Sequence, residues 1–167
     1  SKDFAKSFMK KHNIPTASYQ SFTDADEAKK YIRMNKLPLV IKADGLAAGK
    51  GVVIVDDNQT ANKTIDEFIS ETKHGDASKK IIIEEFLQGQ ELSYIVMVDR
   101  GEYLPLATSQ DHKTIGEGDV GLNTGGMGAY SPVPFVNEEL DIIIKKEVIE
   151  PTVRGLMKDG LNFRGFL

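Results

Sequence analysis

What most constrains this chain is a glycine-rich segment enclosed by two apolar, β-branched runs. Residues 37–42 and Val52-Val53-Ile54-Val55 both read as strands, and between them stands Gly45-Leu46-Ala47-Ala48-Gly49-Lys50-Gly51. A P-loop would lead from a strand into a helix, space its glycines by four residues and place Ser or Thr after its lysine. Here three residues separate Gly45 from Gly49, Gly51 follows Lys50, and the segment runs from strand into strand. It is therefore expected to form the tip of a hairpin. Small residues let backbone N–H groups approach a polyphosphate closely. Lys50 on the tip and Lys42 on the incoming strand would add cations. A flexible hairpin carrying a solvated lysine fits the same pattern, and the loop alone does not separate the two.

The flanking patterns extend this into an α+β reading. Ser1 stands where it would cap a helix carrying Phe4, Phe8 and Met9, which Pro15 ends. Thr23 and Asp24 mark the start of a second helix, with Ala25, Ala28, Tyr31 and Ile32 on one face. Asn58 is placed to cap a third, with Ala61, Ile65, Phe68 and Ile69 inward. Residues 80–85 and 92–98 read as strands, and Arg100-Gly101 as a turn that returns residues 102–108 onto the latter. Residues 109–134 show no periodicity, and so long a connection is uncommon unless functional or disordered. Residues 138–159 return to helix, with Pro151 expected to kink or split it, and residues 163–167 begin a further strand. Residues 19–86 are thus expected to make a small lobe, and residues 1–18 plus 87–167 part of a larger one.

Composition excludes some classes of function. The net charge of -4 gives no general attraction to nucleic acid or to an anionic membrane, so neither is expected as a partner. Any anionic ligand has to be held by locally placed cations and amides. There is no cysteine, hence no disulfide and no thiolate metal site, which fits a cytoplasmic protein. No apolar run approaches the length of a membrane span.

Two further segments carry chemistry. Ile81-Ile82-Ile83-Glu84-Glu85-Phe86-Leu87-Gln88-Gly89-Gln90-Glu91 joins a buried strand to an acidic turn. A purine nucleotide needs an apolar slot, hydrogen-bonding groups for the ring and a carboxylate for the ribose, and this run holds all of them. A solvated acidic turn is an equally good reading of the run by itself. Ser109-Gln110-Asp111-His112-Lys113, followed by Gly121 to Pro132, is rich in glycine N–H groups suited to carboxylate or phosphate. Asp111 suits an amine and Lys113 a phosphate. His112 reads as a structural hydrogen-bonder, and a disordered loop is the other reading of the segment.

Together these segments resemble the ATP-grasp superfamily, and within it the phosphoribosylamine–glycine ligases. Residues 40–52, Glu84-Glu85-Phe86-Leu87 with Gly89 and Glu91, and residues 107–113 and 123–130 are similar to that family's glycine loop, adenine strand and substrate segment. The resemblance covers essentially the whole chain. It implies a partial ATP-grasp fold, two α+β lobes holding a nucleotide between them. It implies ATP and Mg2+ as cofactors, glycine and 5-phosphoribosylamine as substrates, and a glycyl phosphate route in purine synthesis. Lys2 and Lys42 would contact ATP phosphates under a tip formed by Gly49, Lys50 and Gly51. The Glu85 carbonyl and the Leu87 N–H would read adenine, with Glu84 nearby in the ATP site, and Glu91 would take the ribose. Asp111 and Lys113 would be catalytic, and with Asn123, Thr124, Gly125, Gly126 and Met127 would face the substrates.

The resemblance also implies that the magnesium ligands, a Glu-x-Asn pair on a strand, lie beyond Leu167. The family's amino- and carboxy-terminal domains would then be absent too, and residues 1–167 alone would not turn over. The rival readings are another ATP-grasp carboxylate–amine ligase, a biotin-carboxylase relative, or a non-catalytic nucleotide-binding module. Residues 110–113 and 123–130 argue against the other ligases, and the long polar segment against the module.

Overall fold

A computed structural model describes residues 1–47, 51–118 and 120–167. They divide into two compact units, residues 1–10 with 16–88 and residues 11–15 with 89–167.

The first unit is an antiparallel sheet with a helical layer. Its elements are α1 (Lys2–Lys11, whose last residue belongs to the second unit), β1 (Tyr19–Phe22), α2 (Ala25–Met34), β2 (Leu39–Ala43), β3 (Val52–Val55), α3 (Asn58–Ile65) and β4 (Ile81–Glu85). The strand order is β1-β4-β2-β3. The glycine segment joins β2 to β3, which pair antiparallel with Lys42 opposite Val52, so it is a hairpin connection. Ala48, Gly49 and Lys50 of its tip lie outside the described residues.

Side chains alternate across a strand, and here the alternation sorts two environments. Leu39, Ile41 and Ala43 of β2, with Ile81 and Ile83 of β4, join Ala28 and Ile32 of α2 and Ala61 and Ile65 of α3 in one core. Ile82 and Glu84 project to the other face and are buried as well. The three isoleucines therefore form a strand covered on both sides, as their run suggested. Asp24 caps α2 by accepting from the Glu27 N–H at 2.9 Å. Asp57 rather than Asn58 caps α3, accepting from the Thr60 N–H at 2.8 Å. A π-helical turn, Asp66–Ser70, extends α3 and inserts Phe68 into the core.

In α1 the Ser1 hydroxyl accepts from the Phe4 N–H at 3.0 Å, so the expected cap forms. The burial differs from the apolar pattern, because Phe4 is exposed and Lys6 is the buried residue. Helix α1 is bound to the first unit at its amino end. The Lys2 ammonium donates to the Ala43 and Gly45 carbonyls at 2.7 and 3.0 Å, and Lys80 pairs with Asp3 at 3.0 Å. Residues 1–10 thus group with 16–88, whereas the sequence placed residues 1–18 with the second lobe.

The second unit holds β5 (Val96–Asp99), β6 (Glu102–Pro105), β7 (Gln110–Asp111), β8 (Thr114–Gly116), β9 (Val120–Asn123), β10 (Ala129–Tyr130), α4 (Glu138–Ile144), α5 (Glu150–Lys158) and β11 (Arg164–Phe166). Strands β5 and β6 pair across Arg100-Gly101, where both residues have positive φ. Strand β11 pairs with the other edge of β5. Val96 and Val98 pack on Ile149 and Val153. A π-helical turn, Lys145–Ile149, joins α4 to α5 in one continuous helical run, and Pro151 lies directly after that turn. The stretch that looked aperiodic contains two short antiparallel pairs, β7 with β10 and β8 with β9. No helix among the described residues is long and apolar enough to cross a membrane.

Ion pairs give each unit an acid sensitivity. The hydrogen bond from Lys80 holds the Asp3 carboxyl below its ordinary value of 3.8. A hydrogen bond from Lys145, then one from Tyr94, does the same for Asp141. A carboxyl with a lowered folded pKa stabilises fully above its ordinary value and loses that contribution as pH falls through the lowered value. The melting temperature is therefore expected to fall steeply below about pH 4, and less steeply in Asp141→Asn. Melting curves across that range check it; identical acid limbs in the two proteins would contradict it.

Candidate functional site

In the first unit, the base of the glycine hairpin is built by backbone closure. Gly45 N–H donates to the Ala77 carbonyl at 3.0 Å, Asp44 N–H to the Lys80 carbonyl at 2.9 Å, and Ala43 N–H to the Gly51 carbonyl at 2.8 Å. The Asp44 carboxylate accepts from the Asp3 N–H at 2.7 Å, and the Lys2 N–H donates to the Asp44 carbonyl. The first turn of α1 is thus tied to the hairpin base. Close approach accounts for the glycines: a Cβ at Gly45 would stand 2.7 Å from Cα of Ala77, and one at Gly51 would stand 2.6 Å from Cβ of Ala47. Real side chains do not pack that tightly.

Strand alternation places Lys42 and Glu84 on the same face of β2 and β4. Lys42 Nζ donates to Glu84 Oε2 at 3.0 Å, and Lys6 Nζ meets the same oxygen at 3.1 Å. Glu84 is 5% exposed, and the Lys42 side chain keeps 28% exposure. Next along β4, Glu85 accepts from the Ser18 N–H at 2.9 Å, and this bond holds its carboxyl below the usual range. Leu87 is exposed. The sequence pointed to Lys2, Lys42 and Glu84 but not to Lys6. An off-pattern lysine inside an amphipathic helix is the signal that marks it.

A second cluster lies within the second unit. Lys113 Nζ donates to Glu91 at 2.8 Å and stands 3.8 Å from the Asp111 carboxylate. The Glu91 hydrogen bond raises the Lys113 pKa, against desolvation, so Lys113 is a cation at neutral pH. The β7–β10 pair sets Ala129 opposite Asp111 and Tyr130 opposite Gln110. Tyr130 also donates to the Gln110 side chain and stacks near His112, with ring centroids 5.6 Å apart. Between these strands, Thr124 N–H donates to the Lys113 carbonyl at 2.6 Å and Met127 N–H to the His112 carbonyl at 2.7 Å. Gly126, at φ +125°, donates to the Thr124 hydroxyl at 3.0 Å and faces Asp111. Asp111, Lys113, Glu91 and the 124–127 turn therefore share one locality, with Gly125 and Met127 exposed.

Lys2 and Lys42 place two cations at the base of the glycine hairpin in one unit, whereas in the other Lys113 stands between the Glu91 and Asp111 carboxylates beside a glycine turn, a group whose net negative charge suits an amine better than an anion. Among the described residues no group of three or more His, Cys, Asp or Glu side chains is placed to hold a metal ion.

Solved structures define the class of fold. The chain superposes on the crystal structure of the phosphoribosylamine–glycine ligase of Thermotoga maritima with a TM-score of 0.89 and 38% identity, covering 99% of this chain and 42% of that one. A biotin carboxylase from Campylobacter jejuni shares the fold alone, at TM-score 0.71 and 18% identity. This is an α+β ATP-grasp fold. Residues 1–167 match the family described as the phosphoribosylglycinamide synthetase ATP-grasp (A) domain, and the chain belongs to that family. The phosphoribosylamine–glycine ligases of Neisseria meningitidis and Yersinia pestis are 54% and 51% identical to it over 167 residues. The chain spans 40% and 39% of their lengths.

Proposed function

We propose that the protein carrying this chain is a phosphoribosylamine–glycine ligase, acting in the cytoplasm in purine synthesis. What supports the reading most is the Asp111–Lys113–Glu91 cluster beside the 124–127 turn, in a chain that matches the family along its whole length. The γ-phosphoryl group of ATP passes to the glycine carboxylate, breaking its bond to ADP. The amine of phosphoribosylamine then attacks the acyl carbon of glycyl phosphate, inorganic phosphate leaves, and the amine proton is lost to solvent or base. Lys2 and Lys42 neutralise the ATP phosphates, with Gly49, Lys50 and Gly51 closing over them. The Glu85 carbonyl and the Leu87 N–H serve adenine, with Glu84 nearby, and Glu91 serves the ribose. Asp111 and Lys113, with residues Asn123 to Met127, hold the amine and carboxylate in line. The protein's contribution is positioning and charge neutralisation. Magnesium, held by residues outside this chain, would balance the remaining phosphate charge.

Lys42 lies on a strand and is braced by Glu84, whereas the sequence puts Lys50 in the glycine segment between β2 and β3. Lys42→Ala is therefore expected to weaken ATP binding by about tenfold to a hundredfold, the worth of one charge-assisted hydrogen bond, and Lys50→Ala by less. Titration of ATP into the full-length protein measures both, and equal losses would count against the assignment. Formation of ADP that requires both glycine and phosphoribosylamine tests the reaction. Turnover with a different carboxylate or amine would replace it by another ligase of this fold.

A further inference from the structure

Glu84 Oε2 serves two ammonium groups at once, and the two lysines differ in what else they touch. Lys6 is buried and donates to Thr16 Oγ1 at 2.7 Å and to the Ala17 carbonyl at 3.3 Å, in addition to its 3.1 Å contact with Glu84. Its ammonium lies 5.6 Å from the centre of the Tyr19 ring. Lys6 thus makes two hydrogen bonds and one ion pair, all to protein groups. Lys42, more exposed, uses one donor on Glu84 and, among the described residues, keeps two.

The charges decide what this means. A carboxylate paired with Lys42 alone would form a neutral pair, which attracts an anion weakly. Two lysines on one carboxylate leave a net positive charge, and the more exposed of the two is Lys42. We propose that Lys6 is a positioning residue for phosphate binding: a buried counter-cation that satisfies Glu84, so that Glu84 aims Lys42 without neutralising it. The proposal rests on the reading of Lys42 as a cation for the ATP phosphates. Lys6 itself touches no ligand.

The test uses the full-length protein, with ATP and magnesium as the titrated probe and ATP KM and kcat measured alongside. Lys6→Met is expected to weaken ATP binding roughly tenfold, as removal of one nearby unit charge would. It should raise KM for ATP with little change in kcat. Lys6→Arg, which keeps the charge, is expected to stay within about threefold of the parent. The decisive variant is Lys6→Met with Glu84→Gln. Removing both charges returns Lys42 to an unneutralised cation, so ATP affinity recovers, whereas a merely structural Lys6 would leave the double variant as weak as Lys6→Met or weaker. Neither Lys6→Arg nor the double variant leaves a buried carboxylate short of a cation, so these two decide the matter even if Lys6→Met does not fold. Failure of the double variant to bind ATP better than Lys6→Met, or, where Lys6→Met does not fold, to bind within about threefold of the parent, overturns the proposal. So does unchanged affinity in Lys6→Met when Lys42→Ala has weakened binding. Unchanged affinity in Lys42→Ala instead removes the reading of Lys42, and the proposal falls with it.

Discussion

Glu84→Ala is expected to destabilise the protein by about 3–5 kcal/mol, the cost of breaking a buried ion pair from one side. Glu84 is 5% exposed and Lys6 is 9% exposed, so the substitution strands an ammonium in the interior. Thr16 Oγ1 and the Ala17 carbonyl remain as partners for Lys6, but both are neutral. Lys42 suffers less because it can turn toward water. Lys6→Met is the informative contrast: it removes the buried cation, while Glu84 keeps Lys42 at 3.0 Å, so its loss should be smaller. Urea denaturation of the three proteins, followed by far-ultraviolet circular dichroism, measures the differences. A loss below about 1 kcal/mol for Glu84→Ala, the value typical of an exposed pair, would show that water reaches the pair and relieves it.

Phe68→Ala should cost a similar amount, about 3–5 kcal/mol, by a different route. Phe68 is 1% exposed and packs among the core residues of the first unit from the π-helical turn that follows α3. Its ring meets His74 edge-on, with centroids 5.0 Å apart and planes at 81°. Truncation removes the transfer free energy of the ring and leaves a cavity that a sheet hydrogen-bonded strand to strand cannot close. Phe68→Leu should lose a fraction of this. Leu46→Ala, at a side chain 96% exposed, should stay within about 0.5 kcal/mol. If Phe68→Ala matched the Leu46 control under the same denaturation, the core assignment of the turn would be wrong.

Much of the fold is legible because it is local. Alternating side chains place Ile81, Ile82 and Ile83 in a strand buried on both faces, and Gly45 to Gly51 between two strands can only be a hairpin connection. Asp24, an acceptor ahead of an amphipathic run, caps α2, and Arg100-Gly101 turns β5 into β6. Residues 109–134 were harder. Their pairs β7–β10 and β8–β9 are two to four residues long, too short for a period to register, and they are held by register with a partner strand.

The candidate site divides in the same way. Residue types named Lys42, Glu84, Asp111, Lys113 and Glu91, because phosphate and carboxylate chemistry needs those groups beside glycine turns. Which of them touch was decided in three dimensions: Glu91 pairs with Lys113, and Glu84 gathers Lys42 and Lys6. The apolar pattern of α1 singled out Phe4, Phe8 and Met9, yet Phe4 is exposed and Lys6 is inside. A periodicity records how often apolar residues recur along one helix. It carries no record of a carboxylate far along the chain, and only the folded sheet, by bringing Glu84 to that helix, makes a buried lysine tolerable.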